Sequence, residues 1–279
     1  MIEKPIGFFD SGIGGLTVLK EVFSLLPEEN TLYLGDTARV PYGIRSAETV
    51  IRYSFENTDF LVSKGIKLLV VACNTASAVS LEEIKKRLHL PVIGVIEPGS
   101  RAAVRATRNR KIGVIGTEAT INSSAYSRTI REMDNSIEVF GLPCPLFVPL
   151  VEEGFTDDEI AEMVAGRYLK DLIEMGIDTL VLGCTHYPLL KGVISRVMGE
   201  GIVLIDSAKE TALGIRDTLM RDGMLSKAGS EPSRMFFVTD SPERFVRVGE
   251  RFLGNKIEHI QKINIGGSVC GLTAERTTN

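Results

Sequence analysis

The chain has 279 residues, 44% hydrophobic and 24% charged, which is globular and excludes a disordered, collagen-like or coiled-coil protein. Lys and Arg total 32 against 36 Asp and Glu, a net charge of −4, so a protein that grips nucleic-acid phosphates broadly is disfavoured. No run reaches the roughly 18 uninterrupted apolar residues of a membrane span.

The N-terminus, MIEKPIGFFDSG, carries Glu3 and a Gly-rich turn where a secretion signal needs an apolar core. Without such a signal, the four cysteines (Cys73, Cys144, Cys184 and Cys270) predict reduced thiols and a cytoplasmic protein rather than a disulfide framework.

In chain order, short apolar or β-branched runs alternate with helical periodicity. A strand at 5–9 precedes a helix at 16–25. Strands at 31–34 and 68–72 flank a helix at 47–64. A helix at 80–88 leads to strands at 92–96, 111–115 and 138–142. A helix at 157–175 separates these from strands at 179–183 and 202–205. A helix at 208–221 and a strand at 234–238 close the series. Continuous apolar strands separated by helices predict an α/β fold with parallel sheets covered on both faces.

The series also repeats itself. SKGIKLLVVACNT, from Ser63 to Thr75, reads like EMGIDTLVLGCTH, from Glu174 to His186. Gly65 and Gly176, like Cys73 and Cys184, are 111 residues apart. PIGFFDS at Pro5 echoes KIGVIGT at Lys111, with Gly7 and Gly113 separated by 106. The spacing is far beyond the period of a solenoid and predicts one duplicated α/β unit. The expected domains are 1–95 with 208–264, and 96–207, with a flexible tail at 265–279.

Ligands in open parallel sheets bind beyond the carboxyl ends of the strands. Asp10-Ser11, Asp36, Cys73-Asn74-Thr75, Thr117 and Cys184-Thr185-His186 all follow strands directly. Facing copies would aim two cysteines into one cleft, and a helix N-terminus after a strand would lower a thiol pKa. One thiolate can remove a proton from carbon while the other thiol returns one from the far side, inverting that carbon. The neighbouring hydroxyls and amides would hold carboxylates.

A cysteine after a buried strand is commonly core, and Cys144 and Cys270 keep that reading. His89 and His259 lie among charges and are expected in solvent. Asp10 could cap a turn, Glu152-Glu153 could be an exposed acidic pair, and Tyr42 could pack a turn. Gly12-Ile-Gly14-Gly15-Leu-Thr17 invites a dinucleotide reading with Asp36 as ribose acid, but Thr17 stands where the fingerprint wants glycine. The glycines are read instead as letting the backbone approach a small carboxylate substrate. No cysteine pair has zinc spacing, so no metal is expected.

FFDSGIGGLTVL, LGDTARVPYG, VVACNTAS, PLVEEG and LGCTHYPLL together resemble the signature segments of glutamate racemases in the cofactor-independent aspartate/glutamate racemase family. The resemblance runs in order from about residue 6 to 248. It implies interconversion of L- and D-glutamate for bacterial peptidoglycan, cell wall biogenesis and cell shape. It also implies two α/β domains with the site between them, no cofactor, no nucleic-acid or membrane partner, and a homodimer. By position, Cys73 resembles the base for D-glutamate and Cys184 the base for L-glutamate, with Asp10, His186 and Glu152 as assisting groups. Asp10, Ser11, Pro41, Tyr42, Gly43, Asn74, Thr75, Thr117, Thr120, Thr185 and His186 resemble the substrate contacts. An aspartate racemase, a nicotinamide-dinucleotide binder and a non-catalytic acid-binding module are the alternatives.

Overall fold

The computed structural model describes residues 2–227, 229 and 231–266. The chain opens with β1 (Ile6–Asp10), α1 (Leu16–Leu25), β2 (Thr31–Gly35), α2 (Ala47–Ser63), β3 (Leu68–Val71), α3 (Asn74–Arg87) and β4 (Val92–Gly94). It continues through α4 (Ile96–Ala106), β5 (Lys111–Gly116), α5 (Glu118–Asn122), α6 (Ala125–Met133), β6 (Glu138–Pro143) and α7 (Phe147–Glu153). Then come α8 (Glu159–Glu174), β7 (Thr179–Gly183), α9 (Lys191–Met198), β8 (Val203–Asp206), α10 (Ser207–Arg221), β9 (Arg234–Val238), α11 (Pro242–Leu253) and β10 (Ile260–Lys262).

Two wholly parallel sheets result, ordered β10-β9-β2-β1-β3-β4 and β6-β5-β7-β8. The run β2-β1-β3-β4 has the same order as the whole second sheet. The likeness reaches single residues. Gly7 pairs with Leu69 in one sheet and Gly113 with Leu180 in the other, with the two leucines 111 residues apart. A Cβ on Gly7 would meet Ile66 at 2.8 Å, and a Cβ on Gly113 would meet Ile177 at 2.6 Å. Each sheet therefore leaves a side-chain vacancy on its first strand for the isoleucine that precedes its third.

Strand residues alternate between two cores, as the period of two requires. Ile6, Phe8, Leu68 and Val70 face a core that continues into the second sheet through Ile112, Val114, Leu180 and Leu182. Phe9, Leu69, Val71 and Phe237 face a smaller core on the other side of the first sheet. Burial of this kind contributes about 1.5–3 kcal/mol per large side chain.

Four expectations are corrected. Residues 92–96 are not one strand: β4 ends at Gly94 and Ile96 already begins α4, whose first turn admits Pro98. The helix expected at 80–88 begins at Asn74, because its first turns bury small and polar side chains that leave no apolar stripe. β10 is an added short edge strand on β9. Residues 265 and 266 continue the fold instead of starting a tail, since Ile265 packs on the second core. The rest of that expected tail, with Cys270, lies outside the described residues.

Candidate active site

Cys73 and Cys184 end corresponding segments of the two sheets, and their surroundings differ. Cys73 is the N-cap of α3, with its sulfur 3.7 Å from the Ser11 hydroxyl. Asp10 ends β1 beside it, 1% exposed, with Oδ1 accepting the Gly12 N–H at 2.9 Å. Its Oδ2 has no partner among the described residues. Burial lifts the Asp10 carboxyl above its ordinary range, against the charge of His186 and nearby backbone N–H groups. Burial and then the Asp10 charge push the Cys73 thiol up to about 12. The expected lowering of this thiol by its helix N-terminus is thus overturned: desolvation outweighs the N–H groups of Ala76 and Ser11.

Cys184 follows β7 and leads into a 3-10 turn, Tyr187–Leu190, in place of an α-helix. Its sulfur lies 3.9 Å from His186 Nδ1. The other ring nitrogen lies 3.1 Å from Glu152 Oε1. Glu152 Oε2 accepts from Arg244 at 2.9 Å, and its backbone carbonyl accepts from Arg251 at 2.5 Å. Both arginines stand on α11. Burial opposes charge on His186, yet the bonds to Cys184 and Glu152 outweigh it and raise the imidazole to about 10. Burial likewise opposes charge on Glu152, but His186 and Arg244 hold it below the usual carboxylate range. The two residues therefore form a partly buried imidazolium–carboxylate pair whose ring faces the sulfur.

One cavity of about 150 Å³ receives both sulfurs. That volume is of the order that holds a benzene-sized molecule. Ser11, Pro41, Tyr42, Gly43, Asn74, Thr75, Thr117, Thr185 and His186 line it with the cysteines, whereas Asp10, Thr120 and Glu152 stand behind the lining. The hydroxyls of Thr75, Thr117 and Thr120 form a triangle with edges of 3.0, 3.2 and 3.0 Å, drawn from both halves of the molecule. The Asn74 amide nitrogen is buried without a partner among the described residues. Hydroxyls and an amide donor on and just behind the wall of a small cavity suit a carboxylate.

The glycine segment plays a different part from the one expected. A Cβ on Gly14 would meet the His186 ring at 2.7 Å, and Thr17 Oγ1 donates to the Thr185 carbonyl at 3.1 Å. Gly14 admits the opposite half of the protein, and of this segment Ser11 reaches the cavity. Asp36 is not available as a ribose acid. It is fully buried and accepts from the Tyr42 hydroxyl, from Arg39 and from Thr239. Tyr42 thereby anchors its loop, and Gly43 packs against Thr117. Cys144 is buried core, and His89 and His259 are exposed, as expected.

Sequence reasoning missed the apolar wall, which comprises Val40, Ile44, Pro145, Val148 and Pro149, and Glu118 at the rim. The proline spacing around Pro145 and Pro149 was the available signal. No group of three or more potential metal-ligating side chains occurs among the described residues. Nor does any helix there have the length and apolarity to cross a membrane.

The model of the Asp/Glu/Hydantoin racemase family matches residues 14–213. A glutamate racemase of Geobacter metallireducens is 55% identical over 262 residues, covering 94% of this chain and 97% of the relative. The crystal structure of a Bacillus anthracis glutamate racemase isoform superposes with a TM-score of 0.91 at 42% identity, over 95% of this chain and 98% of that one. The Francisella tularensis glutamate racemase, solved in complex with D-glutamate, gives 0.89 at 38% identity over the same shares, 95% and 98%.

Proposed function

The chain belongs to the Asp/Glu/Hydantoin racemase family, and from that premise we propose that it interconverts L- and D-glutamate through two thiols acting on opposite faces of the α-carbon. It is an isomerase of the glutamate racemase kind. The observation that carries the two-thiol reading is the single small cavity into which both Cys73 and Cys184 open.

In the L-to-D direction Cys184, as thiolate, takes the α-proton. The C–H bond breaks, its electron pair stays on carbon and spreads into the carboxylate, and sulfur becomes a thiol. Cys73, a thiol at neutral pH, gives its proton to the opposite face and becomes the thiolate. The reverse direction exchanges the roles. The His186 imidazolium beside Cys184 stabilises negative charge on that sulfur and Glu152 holds the ring. Asp10 is the corresponding polar group beside Cys73. Thr75, Thr117, Thr120 and the Asn74 amide hold carboxylates, with Ser11, Thr185 and the Tyr42–Gly43 loop completing the enclosure. Both cysteines are nearly closed to solvent, each residue 6% exposed. The product D-glutamate serves bacterial peptidoglycan, and the enzyme acts as a cytoplasmic homodimer.

The test is incubation of the metal-free protein with L-glutamate in heavy water under reducing conditions. Loss of optical rotation with α-deuterium in the product is expected. Binding with neither change would leave an acid-binding module, and turnover of aspartate alone would move the substrate.

A further inference from the structure

Tyr126 stands on α6 and Asn74 opens α3, 52 residues away and on the other half of the molecule. Both are 3% exposed. The Tyr126 hydroxyl lies 2.7 Å from Asn74 Oδ1, while Asn74 Nδ2 is buried without a partner. Asn74 lines the cavity and Tyr126 does not. The phenol hydroxyl reaches the cavity lining through this amide.

Two glycines admit the ring. A Cβ on Gly183, the residue before Cys184, would meet it at 3.1 Å, and a Cβ on Gly99 would meet it at 3.6 Å. Burial holds the phenol neutral, so its proton stays on oxygen. The Ser207 hydroxyl donates elsewhere, to the Leu182 carbonyl at 3.4 Å. The phenol proton therefore goes to Asn74 Oδ1.

A carboxamide has one accepting and one donating end, and turning it by half a revolution exchanges them at almost no steric cost. Facing a carboxylate, the donating end attracts and the accepting end repels. We infer that Tyr126 is a positioning residue for the reaction: its hydroxyl claims Asn74 Oδ1 and so presents Asn74 Nδ2–H to the substrate carboxylate. The inference rests on the reading that the cavity takes glutamate.

A double-mutant cycle tests it, with KM and kcat measured for both enantiomers in wild type, Tyr126→Phe, Asn74→Ala and the double variant. Tyr126→Phe keeps the ring and removes the proton that distinguishes the amide's two ends. It should raise KM for L- and D-glutamate by about tenfold, the scale of one hydrogen bond to a charged group. In the Asn74→Ala background the same change should add nothing. Tyr126 replaced by 4-fluorophenylalanine, which fills the hydroxyl's place without a donor, should raise KM by a similar factor, again only while Asn74 is present. It serves as the probe if Tyr126→Phe does not fold. Equal losses in both backgrounds, or an unchanged KM, would overturn the inference and leave glutamate racemisation standing. A wild-type protein that does not turn over glutamate would overturn the proposed function first, and this inference with it.

Discussion

The two halves of the cavity share a strand order, a register and even a glycine–isoleucine contact, yet they surround their sulfurs with opposite electrostatics. Cys73 sits against a buried carboxyl whose second oxygen is unpartnered, and its thiol is pushed up to about 12. Cys184 sits against an imidazolium that is itself tied to Glu152 and Arg244. One half holds its proton on sulfur, and the other offers a positive charge to it. The matched framework thus carries different residues at its strand ends, Asp10 and Ser11 beside one sulfur and His186 beside the other. The proposed two-thiol reaction asks each sulfur both to take and to give a proton. It does not require that they begin alike.

Removing either sulfur should give the largest effect. Cys73→Ala and Cys184→Ala should each cost at least about a thousandfold in racemisation, within the range of a positioned acid–base group. Deuterium exchange should survive for D-glutamate alone in Cys184→Ala and for L-glutamate alone in Cys73→Ala. Full activity in either variant would end the two-base scheme.

Next come the assisting groups. A racemase has an equilibrium constant of unity, so kcat/KM must stay equal in the two directions whatever is mutated. The asymmetry must therefore appear in which proton transfer limits turnover. His186→Gln should slow turnover by about a hundredfold and enlarge the primary isotope effect with α-deuterated L-glutamate over that with the D-form. Asp10→Asn should do the reverse. Identical isotope effects in the two variants would erase the distinction between the halves.

Glu152→Gln should act more gently and chiefly through pH. His186, raised to about 10 from its ordinary 6.5, adds stability that is whole below about pH 6.5 and fades as pH rises toward 10. Removing the Glu152 charge should draw that decline, and the alkaline loss of activity, to lower pH. Thermal melts and rate profiles from pH 6 to about 10 would show it.

The framework should respond evenly. Gly7→Ala and Gly113→Ala press on Ile66 and Ile177 in the same way, so each should cost about 1–3 kcal/mol of stability. Unequal melting shifts would show that the copies have diverged in packing as well as in chemistry.

Much of this was legible from the residues. Buried parallel strands are written as unbroken apolar runs, so β1–β3, β5 and β7 stood out. The 111-residue echo announced both cysteines and their Asn-Thr and Thr-His neighbours. What escaped has a common cause. α3 starts on small polar residues whose burial is decided by the opposite half of the molecule. Tyr126 and Arg244 act on residues 52 and 92 positions away, and no local pattern marks such partnerships. The depressed thiol expected at a helix N-terminus failed because local dipoles can be read from sequence, whereas depth of burial follows only from the assembled fold.

The first sheet has a history written into its strand order. β2 lies between β1 and β9, and the Thr31 N–H donates to the carbonyl of Ser233, about two hundred residues later in the chain. Synthesis proceeds from the N-terminus, at roughly 5–20 residues per second. For ten seconds or more on that scale, β2 leaves the ribosome as a bare edge beside apolar faces awaiting β9 and α11. The whole second unit is made in that interval. Completion of the Cys73 half, and the seating of Arg244 against Glu152, therefore come last in the life of each new chain.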